Sequence, residues 1–275
     1  MALLTCNYFS EVLGLGTAMT VILPETRSGQ YGMDNVTSTE VHKTLFLLHG
    51  LSDDHTNWVR NTSIERYAAV KGIAVVMPQV HRSFYTDMAH GLRYWTFLTD
   101  ELPAKARSFF PLSAKREDNY VAGLSMGGYG AMKWALSYPE RFAAAASLSG
   151  SLDVAAPALR ELIREDARLI YGEGDIAGTP NDLFCLLEQA DRHQGPKLKL
   201  FQCCGTEDFL YEDNLRFREA VRRTGFELTY TEGPGDHTWE YWDARIQDVL
   251  EWLPLGPQEH RRRNLSEGDE ELCIR

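Results

Sequence analysis

Short apolar runs, separated by glycine, proline and polar turns, recur along the whole chain. Runs such as Thr44–Leu48 and Ile73–Met77 contain almost no polar residue, which is typical of strands buried on both faces of a parallel sheet. The pattern predicts eight strands, at residues 4–9, 18–23, 44–48, 73–77, 119–122, 142–148, 197–204 and 227–230.

Helical segments lie between most of these strands. Thr62 and Glu65 have capping-box spacing and predict a helix that ends before Gly72. Further helices are expected at residues 99–110, 131–136, 157–171, 182–192, 213–224 and 239–253. Strands that alternate with helices predict an α/β fold, a mostly parallel sheet covered by helices on both faces.

The chain is long enough for one large core, and we expect a single domain over residues 1–255. Residues 150–195 are irregular and long enough to form a cap, and residues 25–40 are expected to form a loop. Residues 256–275 are charged, lack aromatic side chains and are expected to be a disordered tail.

Composition and charge limit the expected cellular compartment and the classes of binding partner. The net charge of −11 argues against nucleic-acid binding, and no apolar stretch is long enough to span a membrane. Five cysteines without a Cys-x-x-Cys pair favour free thiols over a disulfide framework or a zinc site. The N-terminus is a poor signal peptide, so we expect a cytoplasmic protein.

Residues 123–127 read Gly-Leu-Ser-Met-Gly, which is the Gly-x-Ser-x-Gly pattern of a nucleophile elbow. A predicted strand precedes the pattern and a helix-forming segment follows it, as such an elbow requires. The two glycines allow a turn too tight for a neighbouring β-carbon. Ser125 is therefore the candidate nucleophile.

A serine nucleophile needs a histidine base and a carboxylate that orients the histidine. In α/β-hydrolases the three follow the order serine, acid, histidine, each after a strand. Ser125, Asp208 and His237 satisfy this order. Alternatives for the acid are Glu207, Asp175 and Asp213.

The oxyanion of acyl transfer needs backbone N–H donors. The residue after the nucleophile, Met126, supplies one in this pattern, and the loop after the strand 44–48 should supply the other. Leu51 is the candidate in that loop.

An aromatic-rich segment follows the strand 73–77. Two interpretations stay open: its rings pack in the core, or they form the wall of a substrate pocket, with Tyr85 and Trp95 as substrate-binding candidates. The rings are Phe84, Tyr85, Tyr94, Trp95 and Phe97.

Residues 3–253 resemble the esterase D-like, Putative esterase branch of the α/β-hydrolases, and most closely its bacterial tributyrin esterases. The motifs that carry the resemblance are His49–Asp53, Trp58, Tyr85–Met88, Tyr94–Trp95 and Ser125–Ala131. It implies an α/β-hydrolase fold, the triad Ser125, Asp208 and His237, oxyanion donors Leu51 and Met126, and Trp58 as a further substrate-binding residue. Tyr129 stands where S-formylglutathione hydrolases commonly have histidine, which argues against that activity.

The sequence thus predicts a serine carboxylesterase that hydrolyses short acyl esters through an acyl-enzyme, without metal or cofactor. Alternatives are an S-formylglutathione hydrolase-like thioesterase, a feruloyl or acetyl-xylan esterase, an acyltransferase and a non-catalytic module on the same fold. The expected partner is a small ester, with no nucleic acid or membrane, and a homo-oligomer stays open.

Overall fold

A computed structural model describes residues 1–25 and 41–256. One eight-stranded sheet runs through this part of the chain, in the order β1-β2-β4-β3-β5-β6-β7-β8. The loop predicted for residues 25–40 and the tail predicted for 256–275 lie outside the described residues, apart from Glu25 and Gly256. The strands are β1 (Ala2–Ser10), β2 (Leu15–Leu23), β3 (Thr44–Leu48), β4 (Ala74–Pro78), β5 (Asn119–Leu124), β6 (Ala144–Leu148), β7 (Lys199–Gly205) and β8 (Glu227–Gly233).

The strands β3 to β8 pair in parallel, while β2 pairs antiparallel with both β1 and β4. Every residue of β3, β4, β5 and β6 is buried, because helices cover both faces of the central sheet. On the edge strand β1, half-buried and exposed residues alternate, as expected where only one face is covered. All eight predicted strands and the mostly parallel α/β fold are confirmed.

Helices divide between the two faces of the sheet. One core contains side chains of α4, α5, α7, α8 and α9, and the other contains side chains of α1, α2 and α10. The helices are α1 (Asn57–Asn61), α2 (Ile64–Lys71), α3 (Tyr94–Thr96), α4 (Leu102–Phe109), α5 (Met126–Ser137), α6 (Pro157–Leu162), α7 (Arg164–Tyr171), α8 (Leu183–Asp191), α9 (Tyr211–Val221) and α10 (Trp239–Trp252).

Two local predictions were wrong. The capping box of Thr62 and Glu65 does not form, because Thr62 Oγ donates to the Trp58 carbonyl and accepts from the Ile64 N–H, and Ser63 occupies the N-cap. The helix predicted over 157–171 is two helices that meet at Ile163.

A π-helical turn, Phe97–Glu101, joins α3 to α4. In the described part of the chain, no helix is long and apolar enough to cross a membrane.

Candidate active site

Ser125 lies between β5 and α5 with a backbone conformation that L-amino acids rarely adopt. Its φ of 53° and ψ of −119° are those of a sharp strand-to-helix turn. The turn is held on three sides: Ser125 N–H donates to Leu148 O, and Ser125 O accepts from the N–H groups of Tyr129 and Ser151. Several backbone hydrogen bonds thus stabilise the strained residue.

Glycine is required on both sides of this turn. A β-carbon on Gly123 would lie 2.3 Å from Gly127 O, and one on Gly127 would lie 2.4 Å from Leu48 O. Such contacts are too short for any side chain, so the two glycines let β3, β5 and the first turn of α5 approach closely. This contact places the loop after β3 beside Ser125.

The structure brings Ser125, His237 and Asp208 into one hydrogen-bonded line. Ser125 Oγ lies 2.9 Å from His237 Nε2, and His237 Nδ1 lies 2.8 Å from Asp208 Oδ2. Since the carboxylate accepts, Nδ1 carries the proton and Nε2 is free to accept from the serine hydroxyl. The Asp208 side chain is fully buried, whereas His237 and Ser125 are partly exposed to solvent.

The alternative acids have other partners. Glu207 accepts a hydrogen bond from the Gly235 N–H, which lowers the pKa of its carboxyl, and its side chain points to solvent. Asp175 accepts from the Ala177 N–H, and Asp213 pairs with Arg216. Asp208 is therefore the carboxylate that reaches the histidine ring.

The two predicted oxyanion donors lie on segments that meet at the elbow. Met126 is the first residue of α5, so its N–H lies ahead of the first intrahelical hydrogen bond, where the helix dipole favours negative charge. Leu51 is at the tip of a turn closed by the hydrogen bond from Asp53 N–H to Gly50 O. The Asp53 carboxylate also accepts from Gly50 N–H and from the Asn57 side chain. Burial raises the pKa of Asp53, and the Gly50 N–H opposes that effect.

His49 fixes the base of this loop from inside the protein. Burial lowers its pKa to about 4, so the ring is neutral at pH 7. Nδ1–H donates to Gly50 O, and Nε2 accepts from the Val80 N–H. A neutral buried histidine thus ties the loop after β3 to the end of β4.

Tyr85 occupies a different position from the pocket wall proposed for it. Its side chain is fully buried, its hydroxyl donates to His49 O at 2.8 Å, and its ring fills the space above Gly130 on α5. Tyr85 and Phe84 also both have positive φ. The ring of Tyr85 therefore supports the loop after β3 against α5 from within the core.

Trp58 is buried as well, so it too has no exposed surface for substrate. Its indole N–H donates to Leu48 O, and its ring packs edge-on against Trp239. Trp239 packs on Trp242, and Trp242 packs edge-on against the His237 ring at 4.8 Å. A line of indole rings thus connects β3 to the back of the histidine, and sequence reasoning missed Trp239 and Trp242.

Trp95 lies away from the nucleophile. It stacks on Tyr138, and the Lys133 ammonium lies 4.2 Å from the centre of its ring. Lys133 is eight residues beyond Ser125 on α5, a distance of about 12 Å along the helix axis. The proposed contact of Trp95 with substrate near Ser125 is not supported by this position.

The described residues form three surface cavities that the triad side chains do not line. One of them, about 690 Å³, is lined by Asp54 and His55 of the loop after β3, by residues of β1 and β2, and by Gln79 and His81 after β4. Among residues 1–25 and 41–256, no group of three or more His, Cys, Asp or Glu is placed to hold a metal ion.

The fold and this site together define a serine hydrolase of the α/β-hydrolase class. The chain belongs to the Putative esterase family, whose profile matches residues 10–253.

Three relatives illustrate the family. An acetyl esterase of Caldicellulosiruptor saccharolyticus is 29% identical over 262 residues, which are 92% of this chain and 98% of that protein. FphF, a fluorophosphonate-binding serine hydrolase of Staphylococcus aureus, is 39% identical, with a TM-score of 0.82 over 93% of this chain and 99% of that one. An S-formylglutathione hydrolase (FrmB) structure from Staphylococcus aureus is 38% identical, with a TM-score of 0.80 and the same coverage of both chains.

Proposed function

We propose that this protein is a carboxylesterase that hydrolyses short-chain acyl esters through an acyl-enzyme on Ser125. His237 is the general base, Asp208 orients it, and the N–H groups of Leu51 and Met126 bind the oxyanion. The observation that carries the proposal is the hydrogen-bonded line from Asp208 through His237 to Ser125.

In acylation, Ser125 Oγ attacks the ester carbonyl carbon while His237 Nε2 takes the hydroxyl proton. Negative charge develops on the carbonyl oxygen, which the two backbone N–H groups stabilise. The carbon–oxygen bond to the alcohol then breaks, and His237 donates its proton to the departing alcohol oxygen.

Deacylation repeats these steps with water as the nucleophile. His237 takes a proton from water, the new carbon–oxygen bond forms, and the bond to Ser125 breaks with return of the proton to Oγ. The Asp208 carboxylate stabilises the imidazolium at both stages, and the residues named supply every proton transfer.

The proposal is tested first with a fluorophosphonate probe and the variant Ser125→Ala. The wild type should be labelled at Ser125, and the variant should lose labelling and about 10⁶-fold in kcat while it stays folded. Ser151→Ala, which changes a serine in the adjacent loop, is the matched control and should keep both. Labelling at any other residue would overturn the assignment of the nucleophile.

Support for a short acyl group comes from the similarity to the acetyl esterase relative. Because each methylene that finds an apolar contact contributes about 0.8 kcal/mol, activity should rise over the first carbons of the acyl chain. We expect activity to fall for acyl chains longer than about six carbons. Para-nitrophenyl esters from acetate to palmitate, with tributyrin as a glycerol ester, test this. A maximum at eight carbons or beyond would contradict it.

A second candidate is S-formylglutathione hydrolysis, which the similarity to the S-formylglutathione hydrolase (FrmB) structure favours. The same assay should include S-formylglutathione and methyl ferulate. A kcat/KM for S-formylglutathione a hundredfold above every ester would replace the short-chain ester proposal.

The proposed compartment is the cytoplasm. Its support is that Cys6, Cys185, Cys203 and Cys204 are free thiols in the described structure. Fractionation of the source cells with an antibody against the protein tests this assignment.

A further inference from the structure

An exposed aromatic side chain covers the outer side of His237. The Phe209 ring is 61% exposed to solvent, and its centre lies 4.6 Å from the centre of the His237 ring. Phe209 is one of eight large hydrophobic side chains that are exposed in the described residues, and its ring contacts that of the triad histidine. This apolar surface therefore adjoins the reacting atoms.

The backbone holds Phe209 in this outward position. Asp208 N–H donates to Gly205 O, Leu210 N–H donates to Asp208 Oδ1, and Tyr211 N–H donates to Asp208 O. Asp208 and Leu210, on either side of Phe209, are buried. The turn that aims the Asp208 carboxylate inward thus aims the next side chain outward over the histidine.

The chemistry of the site assigns this position to one side of the substrate. His237 protonates the alcohol oxygen as it leaves, so the alcohol departs beside the imidazole. The carbonyl oxygen points instead toward the N–H groups of Leu51 and Met126. A ring that packs on the imidazole accordingly lies nearer to the alcohol than to the oxyanion.

We propose that Phe209 is a specificity-determining residue that binds the apolar part of the alcohol moiety, and that it favours esters of benzyl-type and butyl-type alcohols over methyl esters. The inference rests on the proposed esterase function. Because the reverse of alcohol departure is alcohol attack, Phe209 also binds an alcohol that replaces water in deacylation. In that step the bond from the acyl carbon to Ser125 Oγ breaks, the bond to the alcohol oxygen forms, and His237 carries the alcohol proton to Oγ.

The first test compares wild type with Phe209→Ala on methyl, butyl and benzyl acetate. The ratio of kcat/KM for benzyl acetate to that for methyl acetate should fall about tenfold in the variant, as expected for loss of an aromatic contact. The relative rates for methyl acetate and methyl butyrate should stay unchanged, because those substrates differ on the acyl side. A change confined to the acyl series would overturn the proposal.

The second test uses the acyl-enzyme itself. With para-nitrophenyl acetate and equal concentrations of benzyl alcohol and methanol, every product arises from the same acetyl-enzyme. The ratio of benzyl acetate to methyl acetate should fall about tenfold in Phe209→Ala, while release of acetate to water is retained. Equal loss with both alcohols and with water, together with a shifted pH profile, would show that Phe209 only supports His237.

Two variants control these tests. Phe209→Tyr keeps the aromatic ring and should retain the wild-type preference for benzyl alcohol, unlike Phe209→Ala. Phe9→Ala removes a ring that is 53% exposed on the edge strand β1, and its selectivity should equal that of wild type. If the esterase proposal itself fails, wild-type Ser125 will not form an acetyl-enzyme, an outcome distinct from a wild-type enzyme whose selectivity does not depend on Phe209.

Discussion

The choice between two adjacent carboxylates shows how single residues define this site. Asp208 and Glu207 are neighbours after β7, yet the Asp208 side chain is buried and the Glu207 side chain is exposed. Asp208 is buried against His237 Nδ1, and Glu207 reaches outward to the Gly235 N–H. Glu207 thereby holds the loop that carries His237, while Asp208 orients the ring.

Replacement of Asp208 by asparagine should therefore inactivate the enzyme without unfolding it. An asparagine amide donates to Nδ1 and favours the tautomer with the proton on Nε2, which cannot accept the serine proton. We expect kcat to fall by about 10⁴ with the circular dichroism spectrum unchanged. Glu207→Gln keeps an oxygen for Gly235 N–H and should lose less than about tenfold. The reverse ranking of the two variants would make Glu207 the acid.

The order of the chain could predict which loops meet, but not which side chain within a loop points inward. The parallel sheet brings the ends of β5 and β7 and the loop after β8 to one edge, so Ser125 and His237 could be selected from sequence, with Asp208 as the first of several candidates for the acid. The turn hydrogen bonds that separate Asp208 from Glu207 have no signature in the residue types. For the same reason, Phe209 could not be predicted from sequence as a neighbour of His237.

The loop after β3 acts as one supported element. His49 fixes its base to Val80, Asp53 closes its turn onto Gly50, and Tyr85 holds the His49 carbonyl against α5. Each support is buried or partly buried, so the Leu51 N–H, the proposed oxyanion donor, is held in place before substrate arrives. Such preorganisation is the main source of oxyanion stabilisation in enzymes.

His49 should make this element sensitive to acid. Its pKa is about 4 in the folded protein and about 6.5 in the unfolded chain, so between these values the unfolded chain binds a proton that the folded protein does not. The stability from neutral His49 is complete above pH 6.5 and is lost as the pH falls toward 4, by about 3 kcal/mol in total. Urea unfolding at pH 7.0, 6.0, 5.0 and 4.5 measures it.

His49→Gln keeps one donor and one acceptor without a titrating group, so its stability should fall less steeply over this range. His193→Gln removes an exposed histidine and should retain the wild-type pH dependence. Identical slopes for all three proteins would contradict the assignment to His49.

Secondary structure was predictable where the apolar pattern of a segment was unambiguous. Both ends of β3 agree with the prediction, because Thr44–Leu48 is an uninterrupted buried run bounded by polar residues. The capping box failed because Thr62 found partners in Trp58 and Ile64, which depend on the preceding helix α1. That short helix, Asn57–Asn61, has too few residues for its periodicity to be seen in sequence.

At the scale of the whole molecule, contacts distant in sequence decided the role of the aromatic segment. Core packing and a pocket wall both require large rings, so residue types could not separate them. Tyr85 is 45 residues before Gly130 in the chain, and its burial above that glycine appears only when α5 is in place. The cap proposed for residues 150–195 remains a prediction. The Tyr129 hydroxyl donates to Asn181 O, and this hydrogen bond joins the segment to α5.

Lys133 links these distant parts of the chain. Its buried ammonium donates to Tyr85 O at 2.9 Å and to Asn181 Oδ1 at 2.8 Å. One side chain of α5 therefore contacts both Tyr85, which supports the loop after β3, and the 150–195 segment. Burial lowers the pKa of Lys133 to about 7, and the negative charge of Asp87 opposes that effect. The lysine of the unfolded chain titrates near 10.4.

Between about pH 7 and pH 10 the unfolded chain therefore binds a proton that the folded protein lacks, and Lys133 makes the free energy of unfolding rise with pH. The slope from this group reaches about 1.4 kcal/mol per pH unit. In Lys133→Met the slope should disappear, whereas Lys115→Met, at an exposed position, should keep it. Urea unfolding at pH 7.5, 8.5 and 9.5 compares the three proteins. Parallel pH profiles for wild type and Lys133→Met would show that the ammonium stays charged in the core, held by its two oxygen partners and the Trp95 ring.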